Sequence, residues 1–294
     1  MGFSSIDALV NEMTTNGKYG DQYINKMTGG SAYAAGRWYD MSMLAGAPVA
    51  NAWAGTALAW RACTESAGNG TQIFGIPHGG DVSPNTKHLI NMSAISAVAT
   101  AVPGYLMLVD IQGYYPGISL NVATAQTLTG TPAMRYSKGV KPFLVTTTAS
   151  GATAHNVAMS YTNDSAVSGR ALPVTVSCTA SAIAGHITHS GTAANNYGPF
   201  LPLAGGDTGV NSVQTVTISA ASGSGVGALV LAKPIAKIPI TTAGVAAERD
   251  LLNQLPSLPQ IKDGACLAWL YFAGAATAAS TNFFMTTDFV WGNS

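Results

Sequence analysis

The chain has 294 residues, 47% of them hydrophobic, so there is enough apolar material for one large domain or two modest ones. Only 9% are charged, 13 basic residues against 13 acidic, where an ordinary soluble domain carries about 25%. That balance excludes a phosphate-neutralising nucleic-acid binder, an acidic or basic disordered tail and a Glu/Lys coiled coil, and it leaves the surface poorly protected against self-association.

Ser4 is the expected N-cap of an opening helix, with Asp7 in the capping-box position. Ile6, Leu9, Val10 and Met13 fall on one face of it, and Asn16-Gly17 ends the run. So short an amphipathic helix needs a cover, from its own core or from a neighbouring subunit. Residues 18–35 are polar and broken by Gly29-Gly30, so 1–35 reads as a helix followed by an irregular arm.

From there strand patterns dominate. Tyr105, Met107, Val109 and Ile111 share a face opposite Asp110; Val157, Met159 and Tyr161 alternate until the turn Asn163-Asp164-Ser165. Gln214, Val216 and Ile218 alternate with Thr and Ser, and 228–232 is a short apolar strand after the connector Ser222–Gly227. Leu267, Trp269 and Tyr271 alternate with residues that are also apolar, the mark of a central strand. Phe283, Met285, Phe289 and Trp291 make one face of a last strand. A second helix is expected over 245–255, bearing the dense charge cluster Glu248, Arg249 and Asp250 as a solvated or intersubunit face. The fold class is therefore all-β. Long irregular intervals between strands favour a jelly-roll-like sandwich over 36–294 rather than an up-and-down barrel, with 130–141 the candidate seam.

Chemical motifs are sparse. Cys63, Cys178 and Cys266 are too far apart in sequence for a metal motif and read as small buried hydrophobes. His186 and His189, three residues apart, would point to opposite faces of a strand and could share a metal only across a turn; with no Asp or Glu nearby they read as surface histidines. His78, in Pro-His-Gly-Gly-Asp beside Asp81 and His88, lacks a nucleophile on a strained elbow. Ser222–Gly227 has neither dinucleotide nor phosphate-loop spacing. No enzyme activity, cofactor or metal is expected. The residues 1–10 have no signal-peptide pattern, and neither 91–109 nor 265–279 has the ~20 strongly apolar residues that span a bilayer. Arg135, Lys138 and Lys141 form a basic cluster, either solvated or docked on an acidic neighbouring subunit. Trp38 and Tyr39, with Trp53 and Trp60, are core or interface aromatics, with sugar stacking the other reading.

Four phrases carry a resemblance: the opening Met-Gly-Phe-Ser-Ser-Ile-Asp-Ala-Leu-Val, Gly36-Arg37-Trp38-Tyr39-Asp40, Pro77-His78-Gly79-Gly80-Asp81-Val82-Ser83-Pro84, and Ala246-Ala247-Glu248-Arg249-Asp250-Leu251. They resemble virion structural proteins of tailed bacteriophages. The resemblance implies a building block at the particle surface whose partners are copies of itself, as a trimer, and the major capsid protein or other virion proteins. The balanced, sparse charge and the lack of a spanning segment lead to the expectation of no direct nucleic-acid or membrane contact. A sandwich with an arm suits a head decoration (cement) protein. A major shell protein would show a long spine helix, for which 84–101 is the longest candidate; a tail, neck or fibre component and a carbohydrate-binding virion protein are the other readings.

Overall fold

The computed structural model describes residues 3–66, 68, 70, 73–188, 198–254 and 257–292. It opens with helix α1 (Ile6–Thr14), followed by strands β1 (Tyr19–Met27), β2 (Arg37–Asp40), β3 (Ala45–Ala47) and β4 (Arg61–Ala62). The long strands β5 (Thr86–Ser96) and β6 (Gly104–Ser119) come next, then β7 (Ala125–Thr127), β8 (Lys141–Thr148) and β9 (His155–Asn163). The short β10 (Arg170–Ala171), β11 (Val176–Cys178) and β12 (His186–Thr188) precede β13 (Val210–Ile218) and β14 (Val226–Ile240). Strand β15 (Ala247–Asp250) leads into the single turn α2 (Leu251–Gln254), and β16 (Gln260–Ile261), β17 (Leu267–Ala273) and β18 (Asn282–Gly292) complete the fold. The all-β class expected from the alternation is what the structure shows, with antiparallel sheets stacked face to face.

The middle layer runs β14-β8-β12-β2-β17-β6, and β6 also pairs with β14, so six strands close into a ring. Closure leaves no free edge along that path. The chain visits the ring out of sequential order, as expected for a fold that is no meander. Inside it pack Trp38, Val109, Ile111, Phe143, Val145 and Leu270 with other apolar residues. Two outer sheets flank it: β15-β5-β18-β1-β3 on one side, with β16 on β5, and β10-β9-β13-β7 on the other, with β11 on β9.

Alternation explains how one ring serves both layers. In β17, Leu267, Trp269 and Tyr271 point to the β5/β18 sheet, while Ala268 and Leu270 point into the ring. Strands β6 and β14 are long enough to meet the layers in turn. Tyr115 and Ile118 pack with Leu229 and Leu231 on the β9/β13 side; Leu106 and Leu108 pack with Ile238 and Ile240 on the other. Register shifts in the β6–β14 pairing, between Leu231 and Ala232 and between Pro234 and Ala236, accompany that change of side. Gly113 is required where β4 crosses β6, since a Cβ there would lie 2.4 Å from the Arg61 carbonyl oxygen.

Several expectations are corrected. Residues 19–27 are not an irregular arm but a strand paired with β18 over its whole length. Its polar residues Asp21, Tyr23 and Asn25 lie on the solvent face, while Ile24 and Lys26 turn inward, so hydrophobic alternation alone does not reveal it. Buried Lys26 donates to the Leu44 and Pro48 carbonyl oxygens, and burial pushes its amine down to about 8. The helix expected at 245–255 is instead β15 plus one helical turn, because 247–250 pairs with β5 and Asp250 accepts from the Leu252 and Asn253 amides to start the turn (Leu255 lies outside the described residues). The 84–101 helix candidate contains strand β5. Ser5, not Ser4, caps α1 by accepting from the Ala8 amide at 3.0 Å. The chain after β13 runs straight into β14, a strand of a different layer, and 226–227 already belong to β14. All three cysteines are buried and free, as expected. No helix among the described residues is long and apolar enough to cross a membrane.

Candidate functional site

Strand register places a distinctive face on the outside of the β5/β18 sheet. Directly opposed residues of an antiparallel pair project to the same side, so pairing can be followed across four strands. Asp21 of β1 opposes Asp288 of β18, which opposes Asn91 of β5, which opposes Asp250 of β15. The adjacent row reads Tyr23, Thr286, Ser93, Glu248, and the next begins Asn25, Phe284, Ile95. The 2.7 Å hydrogen bond between the Ser93 and Thr286 hydroxyls confirms the shared side.

Two neighbouring rows therefore hold four of the chain's 13 acidic residues. Asn91 bridges them: its Nδ2 donates to Glu248 Oε1 at 3.1 Å and to Asp288 Oδ2 at 3.2 Å. Among the described residues no cation pairs with Asp21, Glu248, Asp250 or Asp288; the ion pairs found there involve other acids. Asp288 is raised above the usual carboxylate range, first by burial and then by the negative charges of Asp21 and Glu248. Tyr23 is raised by its hydrogen bond to Asp21, and Tyr19 by burial and by Asp288. Tyr23 is 78% exposed, and Tyr19, Met27 and Phe284 are exposed beside it. Exposed aromatic rings beside carboxylates that have no cationic partner suit recognition of a cationic protein surface.

The predicted site residues scatter. Helix α1 packs at the end of β18 with Leu9 buried and Met13 half-buried, but Ile6 and Val10 remain exposed. The core-or-interface reading of Trp38 and Tyr39 resolves to core: Trp38 lies inside the ring, and Tyr39 is stacked on Tyr33 at 3.7 Å beneath the outer sheet. They are not interface residues, because β2 is an inner strand of the ring with neighbours on both sides. Glu248 and Asp250 stand on the acidic face, whereas Arg249 alternates to the other side and donates to the Lys237 carbonyl oxygen.

The basic trio divides. Arg135 turns inward and forks onto buried Asp110, so its charge is already paired within the fold. Lys138 and Lys141 stay near the surface. Lys138 reaches Asp164 and Ser165, and Lys141 lies 6.0 Å from the Phe200 ring. Lys233 joins them by donating to the Lys138 carbonyl oxygen at 3.1 Å, and burial and the charge of Lys141 lower its pKa. A groove of about 470 Å³ extends this patch along 134–138 to Asn211 and Lys262. Sequence reasoning missed Lys233 on β14 and Lys262 just after β16, which lie far from 134–138 in sequence and carry no local signal.

His186 is buried on β12 rather than at the surface, and His189 lies outside the described residues. His78 is a staple. Its Nε2 lies 3.0 Å from the Ala265 carbonyl oxygen, which only accepts, so Nε2 bears the proton and Nδ1 accepts from Lys87 Nζ at 3.0 Å. Glu65 Oε1 accepts from the His78 and Gly80 amides, at 2.6 and 3.3 Å. Burial depresses the His78 pKa. A histidine held neutral in the fold contributes stability that is present above its unfolded pKa of about 6.5 and is lost as pH falls through the depressed native value. Thermal melts of the wild type are therefore expected to drop as pH falls from about 7 to about 5, and His78→Gln to weaken that slope. An identical slope in the variant would assign the acid sensitivity elsewhere.

A scan against protein-family models and searches of curated proteins and of solved structures found no match for this chain.

Proposed function

We propose that this chain is a structural building block of a tailed-phage virion, a head decoration protein that binds the shell and stabilises it through subunit contacts. The observation that carries the reading is the outer face of the β5/β18 sheet, where carboxylates that have no cationic partner and exposed tyrosines stand on a rigid, well-packed layer. Like charges held side by side without counter-charges cost stability in the free chain, and that cost is offset when a cationic partner covers them. A charge-poor surface elsewhere lets neighbours pack without desolvating many ions. The virion-like phrases of the sequence support the same reading, and three of them lie on separate parts of the fold: α1, β2, and β15 with the start of α2.

The test is mass spectrometry of gradient-purified particles, combined with heating of particles that lack the chain. The expected result is a fixed, high copy number per particle and shells that open at lower temperature without it. A chain absent from the particles, or shells equally robust without it, would overturn the proposal.

A further inference from the structure

We propose that the acidic sheet face docks onto the cationic groove of a second copy of this chain, making a head-to-tail contact. The inference rests on the assembly reading above and adds which surfaces meet. The acidic partner surface is Asp21, Asp288, Glu248 and Asp250, flanked by Tyr19 and Tyr23. The cationic one is the 134–138 groove, lined by Lys138 and Lys262, with Lys233 beside it through its bond to the Lys138 carbonyl oxygen and Lys141 close to Lys233. Asp21 and Glu248 crowd Asp288 and raise it, and Lys141 lowers Lys233, with Asp164, the ion-pair partner of Lys138, offsetting only part of the cationic charge. Contact between the two sets relieves both at once, which is the charge complementarity that selects a partner and its orientation.

The sets are distinct surfaces: the acidic one is the solvent face of the outer sheet, while the cationic one runs from the place where β8 and β14 of the ring meet the turn after β9 to Lys262, just past β16 at the other end of the β5 edge. Contact between two different surfaces is heterologous, so repetition closes a ring or extends a chain of copies. The groove wall is also firm: Lys138 is held by the Asp164 carbonyl oxygen at 2.9 Å and by the Ser165 hydroxyl at 2.9 Å. Exposed Tyr23 and Phe284 supply apolar area beside the charges.

The experiment is sedimentation velocity of the purified full chain at low and high salt, with two charge-reversed variants, Asp21→Lys with Glu248→Lys, and Lys141→Glu with Lys262→Glu. Circular dichroism checks that both fold. The wild type is expected to associate at low salt and weaken as salt screens the contact. Each reversal alone is expected to weaken association by at least about tenfold, and an equal mixture of the two variants to restore it, since reversed face then meets reversed groove. Association of the wild type that neither reversal disturbs would overturn this pairing while leaving the assembly reading intact. A wild type that stays monomeric would also overturn it, and particle composition would then judge the assembly reading on its own.

Discussion

Replacing Asp110 by Ala is expected to destabilise the fold by about 3–5 kcal/mol, the usual cost of stripping one partner from a buried ion pair. Asp110 is fully buried on β6. Its carboxylate accepts from Arg135 Nε at 3.2 Å, from Arg135 Nη2 at 2.5 Å and from the Cys266 amide at 2.9 Å. The same guanidinium donates to the Cys63 and Ile111 carbonyl oxygens at 2.7 and 2.5 Å, so one side chain ties the 134–138 segment to β6 and to the chain just beyond β4. Burial alone would lower the Arg135 pKa, but the charge of Asp110 and its hydrogen bonds outweigh burial and raise it. Without Asp110 the guanidinium remains buried with its charge uncompensated, and the Cys266 amide loses its acceptor. Lys138→Ala, by contrast, removes an exposed ion pair with a 3.5 Å separation and is expected to cost about 0–1 kcal/mol. Urea unfolding of the two variants measures the difference, and equal losses would contradict the division of the basic trio.

The second large effect is expected at Trp269, where substitution by Ala should cost about 3–5 kcal/mol. This side chain is 2% exposed and stands on β17 among Leu106, Leu108, Met285 and Phe289, where the ring meets the β5/β18 sheet. Truncation leaves a cavity between two layers that cannot both move to fill it. Tyr23→Ala removes an aromatic ring from the opposite side of the same sheet and is expected to change stability by only about ±0.5 kcal/mol. Denaturant titration of both variants separates an aromatic that holds layers together from one left free to meet a partner. A large loss for Tyr23→Ala would mean that the tyrosine is part of the core.

Much of the β architecture was legible in the residues because period-two alternation survives wherever one face is buried. Strand β9 follows it closely, β13 follows it only near its end because two register shifts break the alternation, and β17 shows the two-sided apolar pattern of a strand packed on both faces. Legibility fails where tertiary context outweighs local pattern. Strand β1 turns a lysine inward and leaves tyrosines outside, so its sequence reads as a polar arm. Strand β15 is helical by local composition and extended only because β5 offers an open edge. The ring is invisible from sequence, since its closing β6–β14 pair joins residues more than 100 positions apart.

The candidate surfaces were half legible. Glu248 and Asp250 were singled out as a charge cluster and do stand on the acidic face, but their companions Asp21 and Asp288 come from strands at the two ends of the chain. Lys138 and Lys141 were likewise visible as neighbours in sequence. Arg135 was visible in the same cluster, but its inward pairing with buried Asp110 was not, because only the fold brings the two together.

Electron cryo-microscopy of the intact particle tests the central claim most directly. The account predicts symmetric copies of this layered fold on the outside of the head, with Tyr19, Tyr23 and Phe284 covered by a neighbouring subunit. Particles without such density, or copies whose acidic face looks onto open solvent, would contradict it.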